Sequence, residues 1–197
     1  MLAVLLPSAV AAPVTPREAL LPTPAALGAA CLAGVDAAAA PARAGEVEKY
    51  IFTLSDDDLQ LLGGEALAFS RCRADGRAPD APWSAEALGL RLVARGAVLD
   101  LADAAAWTAA LVIDDAAGRE LARLQPTSVD AGGVDSWTQD CDTGACGWEG
   151  ANTYTFGLEG LTAEQRAAVQ ADARVRVEVT RRYGLETFTL SGEQRGD

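Results

Sequence analysis

The feature that most constrains the fold of this chain is a strict alternation of apolar and polar side chains near its C-terminal end. Residues 174–191, "RVRVEVTRRYGLETFTLS", alternate on both sides of Tyr183-Gly184. Such alternation places every second side chain on one face of a strand, and two alternating runs around a short turn indicate an antiparallel hairpin. The C-terminal part of the chain is therefore predicted to be β-structure with one buried face.

A second hairpin is predicted for residues 107–125, "WTAALVIDDAAGRELARLQ", in which two alternating runs flank a turn that ends at Gly118. Polar groups are expected on one face of its first strand. The opposite face is predicted to carry four apolar side chains, Trp107, Ala109, Leu111 and Ile113. Further strands are predicted at 47–55, 66–74, 88–101 and 152–160.

Two segments carry helix signals. Thr162 and Gln165 form a capping-box pattern, which predicts one short helix over 161–173. Ser55 is followed by three aspartates, a pattern typical of an N-cap with an acidic first turn, so "SDDDLQLL" is predicted to begin a short helix or turn.

About seven short strands at turn-marked spacing favour an antiparallel sandwich over a doubly wound sheet, which needs a helix after each strand. The predicted fold is mainly β, an antiparallel β-sandwich with one or two short helices. The short helix before the alternating strand at 174 resembles the corner between the fifth and sixth strands of immunoglobulin-like modules. This resemblance implies an immunoglobulin-like architecture and no particular ligand.

The first 45 residues differ in composition from the rest. Residues 1–12, "MLAVLLPSAVAA", are interpreted as a signal peptide, because a short apolar run ends in the small residues that signal peptidase recognises. Residues 13–45, rich in Ala and Pro, are interpreted as a disordered linker, and 46–197 as a single β-sandwich domain. The alternative is the disordered tail of a cytoplasmic protein. Because a spanning helix needs about 20 apolar residues, no transmembrane segment is predicted.

The four cysteines predict one disulfide and leave the state of the other two open. Cys141 and Cys146 enclose four residues, a separation that can reverse the chain and bring the two cysteines within bridging distance. Residues 26–34, "ALGAACLAG", resemble the lipobox of bacterial lipoproteins, which implies a lipid anchor at Cys31. Either Cys31 pairs with Cys72, or Cys31 is lipidated and Cys72 is a buried free thiol.

The composition excludes several chemistries. The chain contains no histidine, so it cannot form a Ser-His-Asp triad, a Cys-His pair or a histidine-ligated zinc site. It also lacks the glycine-rich patterns of a dinucleotide site, a P-loop and a nucleophile elbow. A net charge of −12 opposes binding to nucleic acid and to anionic lipid.

The segment "DSWTQDCDTGACGWEG" (135–150) is the most distinctive of the chain, and two binding hypotheses depend on it. In the first, Trp137 and Trp148 present flat faces to a sugar ring, while Asn152 and neighbouring acids bind its hydroxyl groups. The alternative is that these tryptophans anchor the loop. Trp83 and Trp107 are assigned to the core or its rim.

The second hypothesis concerns a metal ion. Acidic residues recur through this Gly-containing segment, and oxygen ligands on a flexible loop are what Ca²⁺ requires. Any metal bound here is therefore predicted to be Ca²⁺, although the spacing departs from the EF-hand pattern; the alternative is a solvated acidic turn. The candidate ligands are Asp130, Asp135, Asp140, Asp142 and Glu149.

These observations predict an exported bacterial β-sandwich that acts as a non-enzymatic binding or structural module at the cell envelope. The bacterial origin is inferred from the Ala- and Gly-rich composition and from Lys49 being the only lysine among 16 basic residues. Its partner is expected to be a protein or a glycan. The alternative function is a carboxylate-dependent glycan hydrolase or a carbohydrate-binding module.

Overall fold

The computed structural model describes residues 20–39, 51–55, 58–141, 146–170, 174–181 and 184–190. These residues form two antiparallel β-sheets that share one core, which confirms the predicted mainly β sandwich. The strands are β1 (Ile51–Ser55), β2 (Leu59–Leu62), β3 (Leu90–Val98), β4 (Thr108–Asp114), β5 (Glu120–Leu124), β6 (Ser128–Asp130), β7 (Trp137–Asp140), β8 (Gly147–Phe156), β9 (Arg174–Arg181) and β10 (Gly184–Leu190). The helices are α1 (Pro24–Ala38), α2 (Gly64–Asp75), α3 (Ala85–Leu88), α4 (Leu101–Ala105) and α5 (Ala163–Gln170).

The two sheets differ in size and in their edges. The first sheet has the order β1-β2-β3-β8-β6, and β7 pairs with the part of β8 that β6 leaves uncovered. The second sheet has the order β10-β9-β4-β5. The predicted hairpins are both present in it, as β4–β5 and β9–β10. The turn at 182–183 lies outside the described residues.

The core lies between the sheets and is built from the alternating side chains of both. Leu61, Leu92 and Tyr154 enter it from the first sheet, and each is at most 1 % exposed. Leu111 and Val177 enter it from the second sheet and are fully buried. Because the two inner faces bury each other, this contact is the main apolar stabilisation of the domain.

Strand β4 is buried on both faces, which corrects part of the prediction for it. The predicted apolar face, Trp107, Ala109, Leu111 and Ile113, does lie in the core. The opposite face, however, is not simply polar, since Val112 is fully buried on it. Arg123 of β5 and Arg176 of β9 flank Val112 in register. We infer that the aliphatic parts of these long side chains cover it.

Helices α1 and α2 form a second, smaller core, and here the sequence prediction was wrong. The segment assigned to a disordered linker contains α1, whose N-cap is Thr23 and whose first residue is Pro24. Gly34 lies directly against the backbone of Phe69 in α2, so the two helices approach closely. A contact of small residues needs few large apolar side chains, which is why the composition of 13–45 did not reveal it.

Two further segments were assigned to the wrong type of element. Residues 66–74 lie in α2 and not in a strand, since a short apolar run fits either element. Glu65 in the first turn, Arg73 in the last and Gly76 as a left-handed C-cap with φ 64° all favour the helix. In "SDDDLQLL", predicted to begin a short helix or turn, Asp58 lies in a turn, whereas residues 59–62 form β2 and pair with β3.

The helix predicted from the capping box is confirmed as α5. The backbone N–H of Thr162 donates to Oε1 of Gln165 at 2.8 Å, and the N–H of Gln165 donates back to Oγ1 of Thr162 at 3.2 Å. This reciprocal pair satisfies two N–H groups that the first turn leaves without helical partners. The chain nevertheless contains more helix than the one or two short helices predicted.

Candidate functional site

The segment 135–150 folds into a hairpin of β7 and β8. Thr138 stands opposite Glu149, and Asp140 stands opposite Gly147 at the end of the pairing. Directly beyond that pair, Cys141 and Cys146 form a disulfide with their Cα atoms 4.1 Å apart, as predicted. Residues 142–145, which include the candidate ligand Asp142, lie outside the described residues.

Trp137 and Asn152 are buried, which corrects their assignment to an exposed sugar-binding platform. Trp137 is 2 % exposed, and its indole N–H donates to Oδ1 of Asn152 at 3.1 Å. The ring packs edge-on against Trp107, with 5.6 Å between the ring centroids. Trp148 is half-buried at the rim of the core, so of the two platform tryptophans only this one has part of its surface in solvent. Trp137 therefore fits the alternative given above, in which the tryptophan anchors the loop.

Asn152 is the centre of this anchor. Besides Trp137, its Oδ1 accepts from the backbone N–H of Gly132 at 3.0 Å. Its Nδ2 donates to the carbonyl of Ala104 at 2.7 Å and to the hydroxyl of Tyr154 at 3.3 Å. Two donated and two accepted hydrogen bonds use the full capacity of the amide. One buried side chain therefore ties together β7, β8, α4 and the loop before β7.

Two glycines allow the tryptophans to approach the first sheet. A Cβ at Gly96 in β3 would lie 2.8 Å from the ring of Trp107. A Cβ at Gly150 in β8 would collide with the backbone at Ser136 and Trp137. A larger residue would therefore require the Trp107 ring to shift at Gly96 and the β7 backbone to shift at Gly150. Burial of Tyr154 beside this pair raises the pKa of its hydroxyl.

The opposite face of the same sheet carries an open cleft of about 660 Å³. It lies over β3, β8 and β7, beside the residue that precedes β2, and its floor consists of small residues. Four polar side chains surround this floor. The described residues that line it are Asp58, Arg95, Gly96, Ala97, Thr138, Glu149 and Gly150.

Among the described residues that line the cleft, Arg95 is the only cation, and several contacts position it. Its guanidinium donates to Oε1 of Gln60 at 2.8 Å, which directs the side chain towards β2. Its backbone N–H donates to the carbonyl of Asp58 at 2.7 Å. From the second sheet, Arg181 donates to the carbonyl of Arg95 at 3.0 Å. The cleft therefore lies on fixed backbone, with hydrogen-bond donors and acceptors at its rim.

The candidate calcium ligands occupy different places. The carboxylate of Asp130 accepts a hydrogen bond from Oγ of Ser136 at 3.2 Å, Asp135 is exposed, and Asp140 ends β7. Glu149 lines the cleft. Within the described residues, no three His, Cys, Asp or Glu side chains come together as a metal site would require. With Asp142 outside those residues, the calcium site stays a prediction.

The carboxyl groups with clearly shifted pKa values are ion-paired and lie elsewhere. A hydrogen bond from Arg123 lowers the pKa of Glu178, and one from Arg181 lowers the pKa of Glu186. The backbone N–H of Arg119 lowers the pKa of Asp115. A general acid at neutral pH needs a raised pKa, so these groups give no support to acid catalysis.

A second disulfide joins the two long helices. Cys31 of α1 and Cys72 of α2 are bonded, with their Cα atoms 5.3 Å apart, and both are buried. The two disulfides indicate an oxidising, extracytoplasmic environment. None of the helices in the described ranges has the length and apolar character that crossing a bilayer demands.

Comparison with known proteins found no matching family model, no matching curated protein and no matching solved structure. The function must therefore be argued from the site.

The sequence pointed to Glu149 as a candidate calcium ligand, but it did not point to Asp58, Arg95 or Thr138 as residues of a site. The alternation of β3 could have shown that Arg95 points away from the core. No local signal could have shown which strands bring Asp58 and Thr138 beside it.

Proposed function

We propose that this protein is an exported bacterial binding module of the cell envelope, without catalytic activity, whose recognition surface is the cleft on the first sheet. The observation that carries the proposal is the cleft itself, in which Asp58, Arg95, Thr138 and Glu149 surround a floor of small residues. Its volume of about 660 Å³ lies in the range of small-molecule sites.

The disulfides support an extracytoplasmic environment, and the particular compartment is part of the proposal. Periplasm, cell surface and secretion all provide the oxidising conditions that two disulfides need. A sulfur atom in the bond between Cys31 and Cys72 cannot carry a lipid at the same time. Intact mass under non-reducing conditions tests this point: two disulfides without lipid are expected, and an acylated Cys31 would restore the lipoprotein alternative.

The chemistry of the cleft suits a neutral polyhydroxyl ligand, a segment of a glycan. Sugar hydroxyls both donate and accept, and the rim offers two carboxylates as acceptors, one guanidinium as a donor and a Thr hydroxyl as both. Two carboxylates outweigh the single guanidinium, and the net charge of the chain is −12. Anionic ligands are therefore disfavoured.

Calorimetric titration of the full chain with cellotetraose, maltotetraose and chitotetraose tests the proposal, with oligogalacturonate as the anionic comparison. We expect one neutral oligosaccharide to bind and the anionic one not to bind. Glu149→Gln should weaken binding by about tenfold or more, because it removes a charged acceptor. Glu159→Gln, which changes an exposed carboxylate outside the cleft, should leave the affinity unchanged. Equal effects of the two variants, or no binding by the wild type, would refute the proposal.

One observation favours a second candidate, a glycan hydrolase that uses carboxylates alone. Asp58 and Glu149 lie in the same cleft, and a pair of carboxyl groups is the minimum that glycoside hydrolysis requires. Prolonged incubation with the bound oligosaccharide separates the two functions. Release of new reducing ends that Glu149→Gln abolishes would establish the hydrolase, whereas binding without release supports the binding module.

A further inference from the structure

The two disulfides differ sharply in their access to solvent. Cys31 and Cys72 are 4 % and 0 % exposed, and the packed helices α1 and α2 surround them. Cys141 and Cys146 are both exposed at the end of the β7–β8 hairpin. Thiol–disulfide exchange requires a thiolate to reach a disulfide sulfur, so only the second bond is open to attack in the folded protein.

Opening the exposed bond leaves the anchors of the hairpin in place. Strand β7 is held to β8 by four register pairs and to the core by Trp137. The hydrogen bond between Trp137 and Asn152 lies at the opposite end of β7 from Cys141. The bridge closes a ring of only a few residues, so its entropic stabilisation is small.

We propose that the Cys141–Cys146 bond is a site of reversible thiol–disulfide exchange with dithiol reductants, such as the paired cysteines of a redox protein. One thiolate of the dithiol attacks Sγ of Cys141 or Cys146, forms a mixed disulfide and displaces the other cysteine as a thiolate. The second thiolate of the dithiol then attacks the dithiol's first sulfur in the mixed disulfide and releases the remaining cysteine as a thiolate. Two electrons pass to the protein, the dithiol becomes a disulfide, and its two protons end on Cys141 and Cys146.

Exchange at this bond acts directly on the hairpin that carries one side of the cleft. Thr138 and Glu149 stand opposite each other and are separated from the disulfide by two register pairs. Without the covalent bond, the pairs at the end of the hairpin open more often, because each is then held by hydrogen bonds alone. Reduction is therefore expected to increase amide exchange in Trp137–Asp140 while the rest of the fold persists.

The test uses the oxidised full chain and dithiothreitol as the dithiol. At intervals, free thiols are alkylated and the four cysteines are quantified by peptide mass spectrometry, while circular dichroism monitors the fold. Cys141 and Cys146 should become labelled about tenfold or more faster than Cys31 and Cys72. Removal of the reductant and addition of oxidised glutathione should reform the bond between Cys141 and Cys146.

Equal labelling rates for the two pairs would overturn the proposal, as would loss of the β-sheet signal when the first pair is reduced. The variant Cys141→Ser/Cys146→Ser provides a second readout. Its hydrogen exchange in β7 should match that of the reduced wild type, and a β7 as protected as in the oxidised wild type would contradict the predicted effect on the hairpin. Neither measurement uses a glycan, so both are independent of the proposed ligand.

Discussion

The helical pair and the β7–β8 hairpin are both cross-linked by a disulfide, but the bond has a different structural role in each. Between α1 and α2, the bond joins residues 41 positions apart inside a second, smaller apolar core. In the hairpin, the bond joins residues 5 positions apart and exposed to solvent, next to strands that Trp137 and Asn152 already hold. The comparison teaches that a disulfide stabilises most where it closes a long loop.

The largest effect is expected from removing the buried bond. Cys31→Ala/Cys72→Ala should lower the free energy of unfolding by about 4 kcal/mol, because a loop of this length gains much entropy in the unfolded chain. Urea unfolding followed by tryptophan fluorescence measures this loss. A loss no greater than that for the exposed bond would remove the distinction between the two regions.

The next effect tests what holds the hairpin. Asn152→Leu should cost about 3 kcal/mol, since the indole N–H of Trp137, the N–H of Gly132 and the carbonyl of Ala104 all lose a buried partner. Thr153→Val, on the opposite face of the same strand, is the matched control and should change stability little. Thermal unfolding of both variants provides the measurement. If Asn152→Leu costs less than removal of the hairpin disulfide, the covalent bond is the true anchor.

A smaller effect is expected from the hairpin bond itself. Cys141→Ser/Cys146→Ser should cost about 2 kcal/mol or less, because the closed ring is short. The same urea titration measures this cost beside that of the buried bond. A cost close to 4 kcal/mol would mean that the hairpin depends on its cross-link as much as the helices do.

The smallest effect concerns the pH dependence of stability, and it arises outside both the helical pair and the β7–β8 hairpin. Arg123 lowers the pKa of Glu178 on the outer face of the second sheet, so the folded state favours the charged carboxylate. Its contribution is present above the ordinary glutamate pKa of about 4.3 and is lost as the pH falls through the lower pKa of the folded state. Glu178→Gln should therefore flatten the acid side of the stability profile by about 1 kcal/mol at most. An unchanged profile would show that this ion pair contributes nothing.

Local patterns predicted the sheets better than the helices. The alternation at 174–191 and the capping box at Thr162 each describe neighbours within a few residues, and both are confirmed. The alternation at 107–125 predicted its hairpin and its inner face, but not the burial of Val112 on the opposite face. The helix α1 was missed because its packing partner, α2, lies further along the chain and because the buried face of α1 consists mostly of small residues.

The candidate site was predictable only in part for the same reason. Cys141 and Cys146 are close in sequence, and their spacing alone predicted the disulfide. The tryptophans were recognised as distinctive, but their depth in the fold depends on partners such as Asn152, which lies 15 residues from Trp137. Tryptophan occurs both at binding surfaces and in cores, and the neighbouring sequence does not indicate which of the two positions a given tryptophan occupies.

The sequence by itself determined the mainly β fold class, the two hairpins of the second sheet and the exclusion of histidine chemistry, because periodicity and composition are properties of the chain alone. Only the tertiary structure decided that Cys31 pairs with Cys72, that Asn152 bonds to Ala104 across 48 residues, and that residues of β3, β7 and β8 line one cleft together with Asp58. Each of these depends on which strands and helices become neighbours. Which elements become neighbours depends on the apolar surface that they bury together. Every element contributes to that surface, so no short segment of the sequence predicts it.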